Sequence, residues 1–97
     1  MSFRPGARSE IRAARRWYEA QVPGLGRAFL GELDATLAFV LRHPAMYEAV
    51  EPDGAVRRAL LHRFPYALVY EAASSGDIVV LACFHVRQDA QDWPARR

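Results

Sequence analysis

The five residues "VPGLG" at 22–26 constrain this chain more than any other stretch. On their N-terminal side Ala7, Ile11, Ala14 and Tyr18 recur at the spacing of one helical face, which predicts an amphipathic helix over 7–21. On their C-terminal side Leu25, Phe29, Leu33, Leu37 and Val40 repeat every three to four residues until Pro44 forbids continuation. Pro23 and Gly24 break the pattern between them with the chemistry of a tight connection. Two helices joined by so short a turn form an antiparallel hairpin.

Strand chemistry begins only after the helices end. The segment 46–55 has no periodicity, and "EPDG" at 51–54 reads as a turn. Strands are expected over 56–63, 66–72 and 78–86, with Pro65 marking a turn or strand start and "SSGD" a hairpin loop. The last of these is the most apolar segment and reads as a central strand. Residues 2–4 could add an edge strand. Helices first and strands after make an α+β fold, with the hairpin covering one face of a small antiparallel sheet of three to four strands. The opposite face and the strand ends are left for partners.

Ninety-seven residues, 52% of them apolar and 25% charged, support one domain, 1–97, with one modest core. No apolar run is long enough to span a bilayer, and the N-terminus lacks the order of a secretory signal. A cytoplasmic protein without membrane contact is expected. The single Cys83 lies in an apolar run and reads as a small core residue. No phosphate-cradling glycine loop, zinc-ligand spacing or serine elbow appears, and His43, His62 and His85 are too scattered to suggest a metal site. Neither metal nor cofactor is expected.

All thirteen basic residues are Arg, so any cationic contact uses a guanidinium that stays charged and pairs in bidentate fashion. Arg8, Arg12, Arg15 and Arg16 gather on the polar side of the first helix, with Glu19 four residues from Arg15 to offset them. In the last strand, strict alternation puts Leu81, Cys83, His85 and Arg87 on one face, with the polar pair at the strand's exit. Metal-free RNA cleavage needs an acid, a base and a cation for the phosphate. His85 could be acid or base, Arg87 or Arg63 could hold phosphate, and Tyr66 or Tyr70 could stack on or donate to a nucleotide. Each has a structural rival as an ordinary strand residue.

The segments "FRPGARSEI", "WYEAQVPGLGRAFLGELDATL", "HPAMY", "VRRALLHRFPYALVYEA" and "IVVLACFHVRQDAQDW" together resemble the ParE branch of the RelE/ParE toxin superfamily, often called plasmid stabilisation proteins. The resemblance covers nearly the whole chain. Its most specific parts are Pro23, Gly24, Leu25 and Gly26 with Phe29, and Arg63, Phe64, Pro65 and Tyr66 with Tyr70. It implies a helical hairpin on an antiparallel sheet, with "SFR" as the remnant of a first strand that is clipped or begins upstream. It also implies the toxin of a type II toxin-antitoxin pair, held in a hetero-oligomer by a cognate antitoxin. Trp17, Tyr18, Phe29 and Leu33 are then candidate groove residues, and Arg12 and Arg16 candidates for acidic antitoxin side chains. Trp17 lies off the main apolar stripe and is the preferred contact.

Within the superfamily, RelE-like members cut messenger RNA on the ribosome with a basic set and a tyrosine, whereas ParE-like members are associated with poisoning DNA gyrase. Here Lys is absent, and Gln88 and Ala90 stand where an Arg and a Pro are common. Binding to gyrase is therefore the expected activity, with Arg57, Arg63, His85, Arg87 and Trp93 as target contacts. The alternatives are a ribosome-dependent endoribonuclease using His85, Arg87, Arg63 and Tyr70, or an inactive antitoxin-binding module.

Overall fold

A computed structural model of the chain describes residues 1–87. Its elements in chain order are β1 (Ser2–Phe3), α1 (Pro5–Gln21), α2 (Leu25–Arg42), β2 (Glu48–Ala49), β3 (Val56–Leu60), β4 (Tyr66–Ala72) and β5 (Ile78–His85). The strands form one sheet in the order β1-β5-β4-β3-β2. All neighbours are antiparallel except β1, which runs parallel to β5 with Phe3 opposite Val80. The α+β architecture matches the expectation, with a larger and mixed sheet. The fifth strand, β2, is two exposed residues long and carries no alternation that sequence could have revealed.

Helix α1 starts two residues before the predicted position because Pro5, with its fixed φ and missing N–H, suits the first turn. The "VPGLG" turn then has three separable causes. Gly24 sits at φ +92°, a conformation that L side chains rarely adopt. A Cβ on Gly26 would lie 2.7 Å from the Arg15 carbonyl oxygen, so the helices meet at a distance only glycine allows. The Glu19 carboxylate accepts the N–H groups of Gly24 at 2.9 Å and Gly26 at 3.0 Å, capping α2 from the end of α1. Those bonds, Gly24 first and Gly26 second, hold the Glu19 carboxyl below its ordinary pKa, and Arg15 adds a smaller pull in the same direction. Its main partners are thus backbone amides rather than the arginine expected from helical spacing.

The core between helices and sheet is aromatic. Tyr18 and Phe29 stack at 5.5 Å between centroids, and Phe64 and Tyr66 meet them edge-on. Leu33, Leu37, Val40, Leu68 and Cys83 complete this cluster. The opposite side of the sheet is not the open surface that was expected. Val56, Ala67, Val69, Leu81, Ala82 and Phe84 are buried in a second apolar cluster there.

A bulge in β5 explains how Leu81 reaches that side. Val69 pairs with Ala82 and Tyr70 with Val80, leaving Leu81 as an extra residue between them. Strict alternation fails at this point. Val80 and Cys83, three residues apart, both face the helices, while Leu81 faces away from Cys83. The expected shared face of Leu81, Cys83 and His85 is corrected accordingly.

Strand β3 also stops earlier than expected, at Leu60 rather than at 63. Leu61 N–H donates to the Tyr66 carbonyl at 2.9 Å, and Arg63 turns the chain at φ +74°. His62 and Arg63 therefore belong to a turn, not to a strand.

Candidate functional site

A groove of about 650 Å³ runs between α1 and the end of the β4–β5 pair. Glu10, Ala13, Ala14 and Trp17 form its helical wall, and Pro65, Tyr66, Cys83 and His85 form its sheet wall. The geometry follows from the helix period: positions 10, 13, 14 and 17 fall on one side of α1, next to the buried stripe of Ala7, Ala14 and Tyr18. Small alanines keep the groove open. Trp17 is 58% exposed and stands edge-on to Tyr18 with centroids 5.1 Å apart. A large apolar ring held this way by a core aromatic, yet left largely in water, is a feature of contact surfaces.

On the sheet wall, Tyr66 lies opposite His85 across the strands, with the rings 5.4 Å apart and edge-on. Burial is the main cause that pushes the Tyr66 phenol up, so it stays protonated as a hydrogen-bond donor. His85 Nδ1 accepts the Arg87 backbone N–H at 3.1 Å, which places the proton of the neutral ring on Nε2. Cys83 is buried at the base. Burial first, and the Glu10 carboxylate second, push its thiol up to about 12, so it is a core residue and not a nucleophile.

The structure separates the other sequence-predicted residues. Tyr70 is fully buried, and its hydroxyl donates to the Pro44 carbonyl at 2.6 Å. It ties the end of α2 to the sheet and has no open position for a nucleotide, contrary to its expected catalytic candidacy. Burial raises its pKa, with the Arg57 charge acting in the opposite direction. Arg57 donates from Nη1 to the Tyr47 carbonyl at 2.7 Å, so it anchors the 43–55 segment rather than standing free for a target.

Arg63 is exposed, pairs with Glu32 at 3.5 Å and lies 6.0 Å from the Phe64 ring. It is turned toward α2, outside the groove that holds His85. Arg87 is exposed just beyond His85. Of the proposed acid, base and phosphate groups, only His85 and Arg87 are brought together. Trp93, Gln88 and Ala90 lie outside the described residues.

The antitoxin candidates also divide. Phe29 is wholly buried in the aromatic core and offers no contact surface. Arg12 and Leu33 line a second, smaller depression of about 360 Å³ with Phe3, Arg8, Ile11 and Leu37. Arg16 is exposed on α1 beside Trp17. The residue that sequence reasoning missed is Glu10, whose Oε1 accepts the Cys83 backbone N–H at 2.9 Å across 73 positions of sequence. No local pattern could have announced so distant a bond.

Among the described residues no group of His, Cys, Asp and Glu could hold a metal ion, and no helix is long and apolar enough to cross a membrane. The sequence model of the family described as ParE toxin of type II toxin-antitoxin system, parDE, matches residues 1–90 of the 97-residue chain. No curated protein matches the chain significantly.

Proposed function

The chain belongs to the ParE toxin family of type II toxin-antitoxin systems, and from that premise we propose that a cognate antitoxin silences it through the α1/β5 groove and that it acts by binding DNA gyrase rather than by covalent chemistry. The observation that carries the antitoxin half is Trp17: an aromatic anchor 58% exposed on the wall of an apolar groove. The observation behind the second half is dispersion. Among the described residues, Tyr70 is sealed in the core, Arg57 is bound to the Tyr47 carbonyl and Arg63 faces Glu32, so of the four ribonuclease candidates only His85 and Arg87 lie together. Arg63, His85 and Arg87 remain the proposed target contacts.

A supercoiling assay with purified gyrase tests the target. Inhibition or trapped cleavage complexes are expected, and no effect at micromolar excess overturns the gyrase reading. One observation favours a second reading. His85 and Tyr66 face each other on the groove wall, an arrangement that could serve RNA cleavage. Mapping messenger RNA ends after induction distinguishes the two, because cleavage by His85 would vanish in a His85→Ala variant along with growth arrest.

A further inference from the structure

Arg8, Arg12, Arg15 and Arg16 are all exposed along α1. At about 3.6 residues per turn, Arg8, Arg12 and Arg15 fall on the side of the helix away from Ala13, Ala14 and Trp17, with Arg16 at its flank. The groove and the arginine row therefore use opposite sides of one helix. About 6 Å of helix axis separates Arg8 from Arg12, and again Arg12 from Arg16.

The carboxylates of α1 are committed elsewhere. Glu10 Oε1 accepts the Cys83 N–H at 2.9 Å on the groove side, and Glu19 accepts the amides of Gly24 and Gly26 at the helix end, where Arg15 is drawn to it. Among the described residues Arg8, Arg12 and Arg16 form no ion pair, although Asp34 of α2 lines the same depression as Arg8 and Arg12. Such a row destabilises the free chain, because like charges one turn apart repel and the first turn of α1 holds no acidic residue to suit its dipole. A bound polyanion would relieve both effects.

We propose that the outer side of α1 binds the phosphate backbone of duplex DNA and that the toxin thereby meets gyrase on its DNA substrate, a role that rests on the gyrase reading above. Duplex DNA carries one negative charge per about 1.7 Å of axis, so phosphates come within reach of the whole row. Guanidinium groups suit them through bidentate hydrogen bonds. The neighbours of the row decide between DNA and an acidic protein. No exposed large apolar residue stands in it, since Trp17 lines the groove and Leu33 and Leu37 are buried at the base of the depression, whereas a protein interface is built around such anchors. Single strands are held by stacking on exposed rings, and the aromatic beside the row, Phe3, is packed against the core.

The test is fluorescence anisotropy of the purified full-length chain with a short labelled duplex of mixed sequence, over a series of salt concentrations. Wild type should bind, with a log–log salt slope of about −3 for three to four phosphate contacts. The double variant Arg8→Gln/Arg12→Gln should bind about tenfold or more weakly, lose about 2 from that slope, and melt no lower than wild type because its substitutions are exposed. The charge control Arg87→Gln, at the exit of β5, should bind within about twofold of wild type. Absence of salt-dependent binding by wild type, or unchanged binding by the double variant, overturns the DNA site. So does tighter binding of single-stranded RNA of the same length, or a loss of antitoxin affinity in a double variant that still binds the duplex, which would hand the row to those partners.

A measurement on wild type is independent of the variants. Adding duplex should shift the amide resonances of Arg8, Arg12 and Arg15 and leave those of Cys83 and His85 in place, and the reverse pattern overturns the proposal. Supercoiling assays separate this inference from the reading beneath it. The double variant should need about tenfold more protein than wild type to inhibit gyrase. Equal inhibition by the two overturns the proposal and leaves the gyrase reading standing, whereas duplex binding as expected without any inhibition by wild type overturns the gyrase reading and supports the DNA site.

Discussion

The Glu19 carboxylate, at the end of α1, accepts the backbone N–H of Gly26 in the first turn of α2 at 3.0 Å. Because this bond and its companion to Gly24 lower the folded-state pKa of Glu19, its contribution to stability is complete above the ordinary carboxylate pKa. It is lost as pH falls through the lower folded value. Glu19→Gln should therefore melt below wild type at neutral pH, and the two thermal midpoints should converge on acidification. Parallel melting curves across pH check this, and a gap that widens in acid would contradict the sign.

Two glycines of α2 should respond in opposite directions. Gly26→Ala drives a Cβ against the Arg15 carbonyl oxygen, 2.7 Å away, and should cost about 1–3 kcal/mol through displaced backbone. Gly31→Ala meets nothing within 4 Å in a helix interior and should stabilise by about 0.5–1 kcal/mol. Urea denaturation of both variants measures the difference in sign.

Tyr70→Phe removes the donor to the Pro44 carbonyl and leaves that acceptor poorly satisfied, which should cost about 1–2 kcal/mol. Toxicity at permissive temperature should persist, because the hydroxyl faces the core. Denaturation midpoints and growth arrest on induction report the two effects separately.

Trp17→Ala should change stability by less than about 1 kcal/mol, since the ring is 58% exposed and its described ring contact is with Tyr18. Antitoxin affinity should fall by about 2 kcal/mol or more, as for a central aromatic anchor. Calorimetry against the antitoxin, alongside a melting curve, distinguishes an interface residue from a structural one.

Short-range signals carried most of the fold. Periodicity placed both helices, and Pro23 with Gly24 placed their turn, because these features act over one or two helical turns. The bulge at Leu81 left no trace, since an apolar run such as 78–84 is equally compatible with either strand parity. Tyr70 and Arg57 read as candidates for chemistry because their partners, Pro44 and Tyr47, lie in an aperiodic stretch that sequence could not position. The site was legible only in part. Trp17 stood out by its place off the apolar stripe, whereas Glu10 acquires its meaning from Cys83, which only the folded chain brings near.

The pairing of Ser2 with Val79 and Phe3 with Val80 gives the sheet a temporal order during synthesis. Strand β1 must wait for β5 before it has a partner, and this long-range closure adds loop entropy to the barrier. The α-hairpin and its Glu19 cap can form early. The wall of the groove that contains Cys83 and His85 cannot exist until β5 has emerged, so a nascent chain lacks the proposed antitoxin-binding groove until then.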